Sequence, residues 1–247
     1  SGKPIQYHAG TVVWNPMRRR WVLVFNEIFG TSLLGEVWFA EGDTPLGPWV
    51  YAVKVVTHNK YSFYNSVQHS HLMQESGKIL YFEGTYTTLF SGNEHPTPRY
   101  DYNQIMYQLD MDDIRLFLPV PVYRLDHDDP PYYVTGSVPP KGMKAGIAFM
   151  APDRPAEDTT PVYQLPEKAT GKWILTTSPS EMSSTTRPIF HVLNTDVQTT
   201  ATRPLIEYVH EQTGARCYLP EGEDAGGGFI PQPGSLGRVW PYPGRGT

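Results

Sequence analysis

Residues 61–73 read YSFYNSVQHSHLM, residues 78–87 KILYFEGTYT and residues 97–110 TPRYDYNQIMYQLD. The apolar runs in this stretch are too short for helices. Residues 78–83 and 103–110 are rich in β-branched, aromatic and long apolar residues and are bounded by turn formers, so the pattern predicts two strands. Residues 84–102 between them carry Gly92, Asn93, Pro96 and Pro98, and a connection of that length inside a compact β unit is usually functional or disordered. Arg99, Tyr100 and Asp101 within it are side chains able to hold a ligand. The expected fold class is all-β.

The rest of the chain agrees with that reading. It has 247 residues, 13% of them aromatic, with 24 Pro and 22 Gly, a composition that favours many short strands and tight turns. A net charge of -5 offers no basic field for a phosphate backbone, so nucleic acid is not an expected partner. No stretch approaches the roughly 20 apolar residues of a membrane-spanning helix, and no membrane partner is expected. Ser1-Gly2 reads as a tag remnant, with a self-exposed serine nucleophile as the alternative. One cysteine, Cys217, leaves no internal disulfide.

Residues 7–57 divide into YHAGTVVWN, WVLVFNE, LGEVWFAEGD and WVYAVKVVT, with turn residues where strands should end. Residues 64–123 repeat that order as YNSVQHSHLM, ILYFEG, NQIMYQLD and LFLPVPVY. Repeated four-stranded antiparallel units are the signature of propeller blades. Arg18, Arg19 and Arg20 in the first turn are expected to be solvated, a patch for an anionic partner being the other reading.

Three features carry a resemblance: the WN-turn-WV pattern at residues 14–22, GEVWFAEGDTPLGPW at 35–49, and YFEGTYT followed by TPRYDYNQIMY. On these, residues 7–120, within an expected first domain of residues 1–120, resemble five-bladed β-propeller glycosidases and the glycosidase-like proteins around them. The resemblance implies a carbohydrate-active protein with acidic residues from several blades around a funnel. With about two blades present, it also implies further chain, a second protein chain or a homo-oligomer completing the ring. From Pro121 the segments PVYRLDHDDPPYYVTG, PVYQLPEKATGKWILTTSP and PLIEYVHEQTGARCYLP recur at about 40-residue spacing, predicting a threefold β-trefoil-like domain over residues 121–247 with a flexible tail beyond Asp224. They resemble PVYR-type repeats appended to secreted bacterial enzymes, which implies a secreted or periplasmic location.

For a glycosidase, two carboxylates must flank the scissile bond. Glu83 is the first candidate, with Asp101 and Glu27 as partners; a purely structural Glu83 is the alternative. His69 is a candidate catalytic or sugar-binding group. Two residues apart on one strand face, His69 and His71 would make a metal pair with His8, His58 or His95, but nothing fixes a third ligand and no metal or cofactor is expected. Tyr64, Tyr86, Tyr100 and Tyr102 are candidate stacking platforms, with Asn65, Gln68 and Arg99 as hydrogen-bonding partners for a carbohydrate. Asp110, Asp112 and Asp113 lack the calcium-loop pattern and read as a solvated turn. Glu83, His69, Gln68, Asn65, Arg99 and Asp101 are expected to converge on one surface.

Overall fold

The computed structural model describes residues 3–125, 131–135, 145–179, 185–196 and 201–244. Ser1 and Gly2, and with them the remnant and nucleophile readings, lie outside these. The chain is all-β and divides into two compact units, Lys3–Leu118 and Pro119–Thr247.

In the first unit β1 (Tyr7–Asn15), β2 (Arg20–Glu27), β3 (Glu36–Gly42) and β4 (Ala52–Thr57) form an antiparallel sheet in sequence order, and β5 (Ser62–Gln68), β6 (Ile79–Thr87) and β7 (Asn103–Asp110) form a second. The strand period of two explains the burial. Val22, Val24, Val37 and Phe39 pack with Phe63, Leu80 and Phe82 of the second sheet, while Leu23, Phe25 and Ala40 turn the other way, beneath Ile5, Trp38 and Trp49. Central strand β2 therefore buries both faces, which is why WVLVFNE reads as an apolar run rather than an alternation. Each such side chain contributes roughly 1.5–3 kcal/mol by leaving water.

Polar side chains join the two sheets. The amide of Asn26 donates to the Phe63 carbonyl at 2.6 Å while its oxygen accepts from the Ser66 backbone and hydroxyl. Gln68 donates to the carbonyls of Thr11 at 2.5 Å and Val22 at 3.1 Å.

Three expectations change here. The second sheet has three strands, not four. Met111 and Leu116 fold into the core of the first unit through a short 3-10 turn, and residues 120–123 open the second unit instead. Pro119 and Pro121 each lack the N–H that a fourth strand would donate to β7. Strand β6 runs on to Thr87, which shortens the long loop to residues 88–102. Of the turn arginines only Arg19 is exposed to solvent. Arg18 and Arg20 are buried with Glu41 and Asp43, none of the four more than 8% exposed, with Arg18 Nε 2.8 Å from Glu41 and Arg20 2.6 Å from Asp43. Arg18 also donates to the Leu116 carbonyl and lies over the Phe117 ring. Arg19 between them adopts a φ of 52°, and the alternation of the turn sends its neighbours inward.

The second unit repeats one motif three times. A long strand, β8 (Val120–Leu125), β11 (Thr159–Pro166) or β14 (Arg203–His210), pairs with a hairpin strand, β9 (Tyr132–Thr135), β12 (Trp173–Thr176) or β15 (Arg216–Pro220). The register recurs, with Arg124 opposite Tyr133, Gln164 opposite Leu175 and Glu207 opposite Tyr218. A returning strand, β10 (Ala145–Ala151), β13 (Phe190–Leu193) or, after β16 (Phe229–Pro231), β17 (Arg238–Val239), then sets Met150 against Pro121, His191 against Pro161 and Arg238 against Pro204.

The three returning strands close on one another. Met150 and Trp240 exchange backbone hydrogen bonds, His191 N–H donates to the Pro152 carbonyl, and Leu193 pairs with Arg238. Val122, Val162 and Leu205 hold equivalent core positions, joined by Tyr133, Leu175, Tyr218, Phe149 and Phe190. The residues after Asp224 are therefore not a free tail through residue 244, because they supply β16 and the closing strand β17.

Candidate functional site

On the outer face of the three-stranded sheet Glu83 sits mid-strand, with Val67 and Met106 opposite it on β5 and β7. Leu80, Phe82 and Gly84 point inward, and a Cβ on Gly84 would come within 2.5 Å of the Phe63 ring. The same alternation turns Tyr81 and Glu83 outward, while Thr85 on that face is buried and accepts from the Gln104 amide at 2.9 Å. His69 Nε2 lies 3.2 Å from Glu83 Oε1, close but not aligned as a hydrogen bond, and the His71 ring stands edge-on to His69 at 5.4 Å. The two histidines do not share a strand, since β5 ends at Gln68 and residues 70–72 form a 3-10 turn. Val67 and Met106 leave apolar surface exposed beside this cluster.

The remaining candidates divide. Gln68 faces inward and holds β5 to β1 and β2, away from the outer face. Asn65 is exposed on a bulge of β5 at a φ of 56°. Tyr86 packs between His58 and Tyr61 and belongs to the core rather than to a platform. Glu27 accepts from the Trp38 indole at 2.8 Å.

Asp101 accepts from the backbone and hydroxyl of Thr88 and from the hydroxyls of Thr87 and Thr97, and the Thr88 hydrogen bonds hold its carboxyl below the usual range. Its anchorage beside Thr87 is four residues along β6 from Glu83, about 13 Å of strand. That exceeds the separations used by retaining or inverting pairs. Asp110 ends β7 the same number of residues away in the other direction.

His58 is taken up by the Gly35 carbonyl and the Tyr107 hydroxyl and stacks on Phe63. Among the described residues no group of three or more His, Cys, Asp or Glu is placed to hold a metal ion. Asp113 chelates Arg115, which holds its carboxyl down at about 2, and Asp112 pairs with Lys78.

At one end of the unit Tyr64, Arg99, Tyr100 and Tyr102 were read from the sequence, and Phe29 and Phe90 were not. The loop after β2, the turn before β5 and the loop after β6 are tied together there: Ser32 donates to the Tyr61 carbonyl, Ser62 to the Leu89 carbonyl, and Phe63 N–H to Leu34. Phe29, Phe90, Tyr100 and Tyr102 are between 54% and 73% exposed, and Leu89 is exposed beside them. Phe29, Phe90 and Tyr102 have φ values of 63°, 60° and 90°, as do Arg99 and Asn65 nearby at 71° and 56°. Bulky residues rarely adopt that region, and holding one there costs of order 1–3 kcal/mol.

Tyr64 donates to the Tyr102 hydroxyl, and that bond raises the Tyr64 pKa to about 12. Arg99 is exposed and makes no ion pair with Asp101 among the described residues. The signal for Phe29 and Phe90 was present: each is an aromatic inside a string of turn formers, Phe29-Gly30 and Phe90-Ser91-Gly92, where burial is hard to arrange. Compared with known proteins, the chain matches no family model, no curated sequence and no solved structure.

Proposed function

We propose that the first unit is carbohydrate-active and binds a poly- or oligosaccharide across the face of its three-stranded sheet and the adjoining loop end. The observation that carries this reading is the set of aromatic rings held outward on left-handed backbone. A fold that keeps Phe29, Phe90 and Tyr102 exposed at a conformational cost presents flat apolar surfaces of the kind sugar rings stack on. Asn65, Arg99, Glu83 and His69 supply donors and acceptors around those rings for hydroxyl groups. Affinity electrophoresis through gels containing neutral polysaccharides tests it. Retardation by at least one polysaccharide, reduced about tenfold in Phe90→Ala and Tyr102→Ala, is expected; migration unchanged across the panel overturns it.

A second reading, a glycoside hydrolase-like activity related to five-bladed propeller enzymes, draws on the His69 ring beside Glu83. A histidine there can hold Glu83 or exchange a proton with it. It needs a second carboxylate from elsewhere, either more chain or a partner, because Asp101 and Asp110 stand at the two ends of the face. Strands β4 and β7 end their sheets, and sheet edges invite such pairing. Glu83→Gln should then abolish release of nitrophenol from aryl glycosides while leaving retardation in the gel intact. Wild-type protein without turnover removes this reading and leaves the binding one.

A further inference from the structure

We propose that the second unit carries a separate binding site for a neutral sugar ring, in a cleft of about 550 Å³ between β14 and the turn joining β16 to β17. Strand β14 pairs along one edge with two successive strands, β16 at Tyr208–His210 and β17 at Arg203–Pro204. Between those pairings the neighbouring chain leaves the sheet. Gln232 N–H still reaches the Glu207 carbonyl and Leu236 N–H the Leu205 carbonyl, both anchored on β14. The intervening Pro233-Gly234-Ser235 swings clear over Ile206. Gly234 at a φ of 90° after a proline fits a type II turn, and a Cβ there would meet nothing within 4 Å. The lip is therefore fixed at both ends and open beneath.

The lining suits one ligand chemistry. Pro204, Ile206 and Pro231 give an apolar floor, with Tyr208 at its end. Around it stand Glu221 on one wall and Gln232 and Ser235 on the other. The first wall is also held, by Glu221 N–H donating to the Pro204 carbonyl at 2.8 Å. Burial raises the Tyr208 pKa against the opposing hydrogen bond that its hydroxyl accepts from the Gly222 backbone, so the hydroxyl keeps a proton to donate. No Lys, Arg or His is among the lining residues; the guanidinium at the border, Arg203, donates to the Glu221 carbonyl and pairs with Glu223, so a phosphate or uronate would have to compete with Glu223 for it. A molecule with one apolar face and hydroxyls at its rim satisfies floor and rim together, with Glu221 accepting from neighbouring hydroxyls. The volume is within the usual range for small-ligand sites.

Saturation-transfer difference NMR on the full chain tests this, with glucose, galactose, mannose, xylose and N-acetylglucosamine as probes and choline as a cationic control. At least one sugar should receive saturation. Ser235→Trp, which fills the mouth from an exposed position, should weaken that sugar about tenfold, and Glu221→Gln should weaken it several-fold. Phe90→Ala and Tyr102→Ala in the first unit should leave this signal unchanged, so that a failure here is distinct from a failure of the site proposed there. Unfolding curves of the two cleft variants should match wild type. The proposal is overturned if no sugar is saturated, if Ser235→Trp leaves transfer intact, or if choline alone responds and is lost in Glu221→Gln.

Discussion

Where β1 turns into β2, Arg18, Arg20, Glu41 and Asp43 are buried and paired; where β2 turns into β3 and β6 into β7, phenylalanine and tyrosine rings stand in solvent. The loop end buries a carboxylate too, Glu36, but uses it as an anchor: it accepts from the Thr31 and Thr57 hydroxyls and pairs with Lys54 at 2.6 Å. Buried ion clusters tolerate no missing member, since each charge left alone keeps its desolvation penalty. Exposed rings on left-handed backbone contribute little to folding and cost something to hold. One end is therefore scaffold, and the other is where stability has been given up for a surface.

The sharpest break of this comparison is Glu41→Ala. It strands Arg18 inside the unit, leaves Arg20 to Asp43 alone, and should cost about 3–5 kcal/mol in urea denaturation. A loss under about 1 kcal/mol would mean the cluster is as solvated as its sequence suggested.

Next is the pH response of the loop end. Burial depresses the His58 pKa, against the opposing pull of the Gly35 carbonyl and Glu36. A histidine whose folded pKa lies below its unfolded value near 6.5 contributes stability that is present above that pH and lost as pH falls through and below it. The urea midpoint of the first unit should drop between pH 7 and 5, and His58→Gln should flatten that slope; an unchanged slope would mean His58 is not its source.

Smaller still, Phe90→Gly should leave stability unchanged or raise it by up to about 1 kcal/mol, since glycine accepts a φ of 60° freely, while polysaccharide retardation falls. Destabilisation by more than that would make the ring a packing residue. The least effect is spectroscopic. In Tyr102→Phe the hydrogen bond that raises Tyr64 is gone, and one tyrosine should move from about 12 toward the ordinary value near 10 in an alkaline absorbance titration.

Period-two alternation made β6 and β7 legible, and Pro121, Pro161 and Pro204 marked three strands that do share one register. His69 and Glu83 were read as facing one surface, and the antiparallel pairing of β5 with β6 brings them together. What the sequence hid is non-local. Arg18 and Arg20 are buried only because Glu41 and Asp43 arrive from β3, and Gln68 turns inward only because the Thr11 and Val22 carbonyls await it. Asp101 was read as a partner for Glu83, and its ties to Thr87, Thr88 and Thr97 were not legible beside that reading. Nothing in the types of those residues, taken singly, announces such partners.

The closure of the second unit sets an order of events during synthesis. The first unit has every strand of both its sheets once Asp110 has left the ribosome, and its core once Leu116 has followed. The second cannot complete its ring so early. The backbone groups of Met150 and the strand edge at Leu193 stay unmatched until Arg238 and Trp240 emerge. A nascent chain halted before that point would carry a folded first unit and two repeats with open edges, the state in which such edges most readily pair with a neighbour.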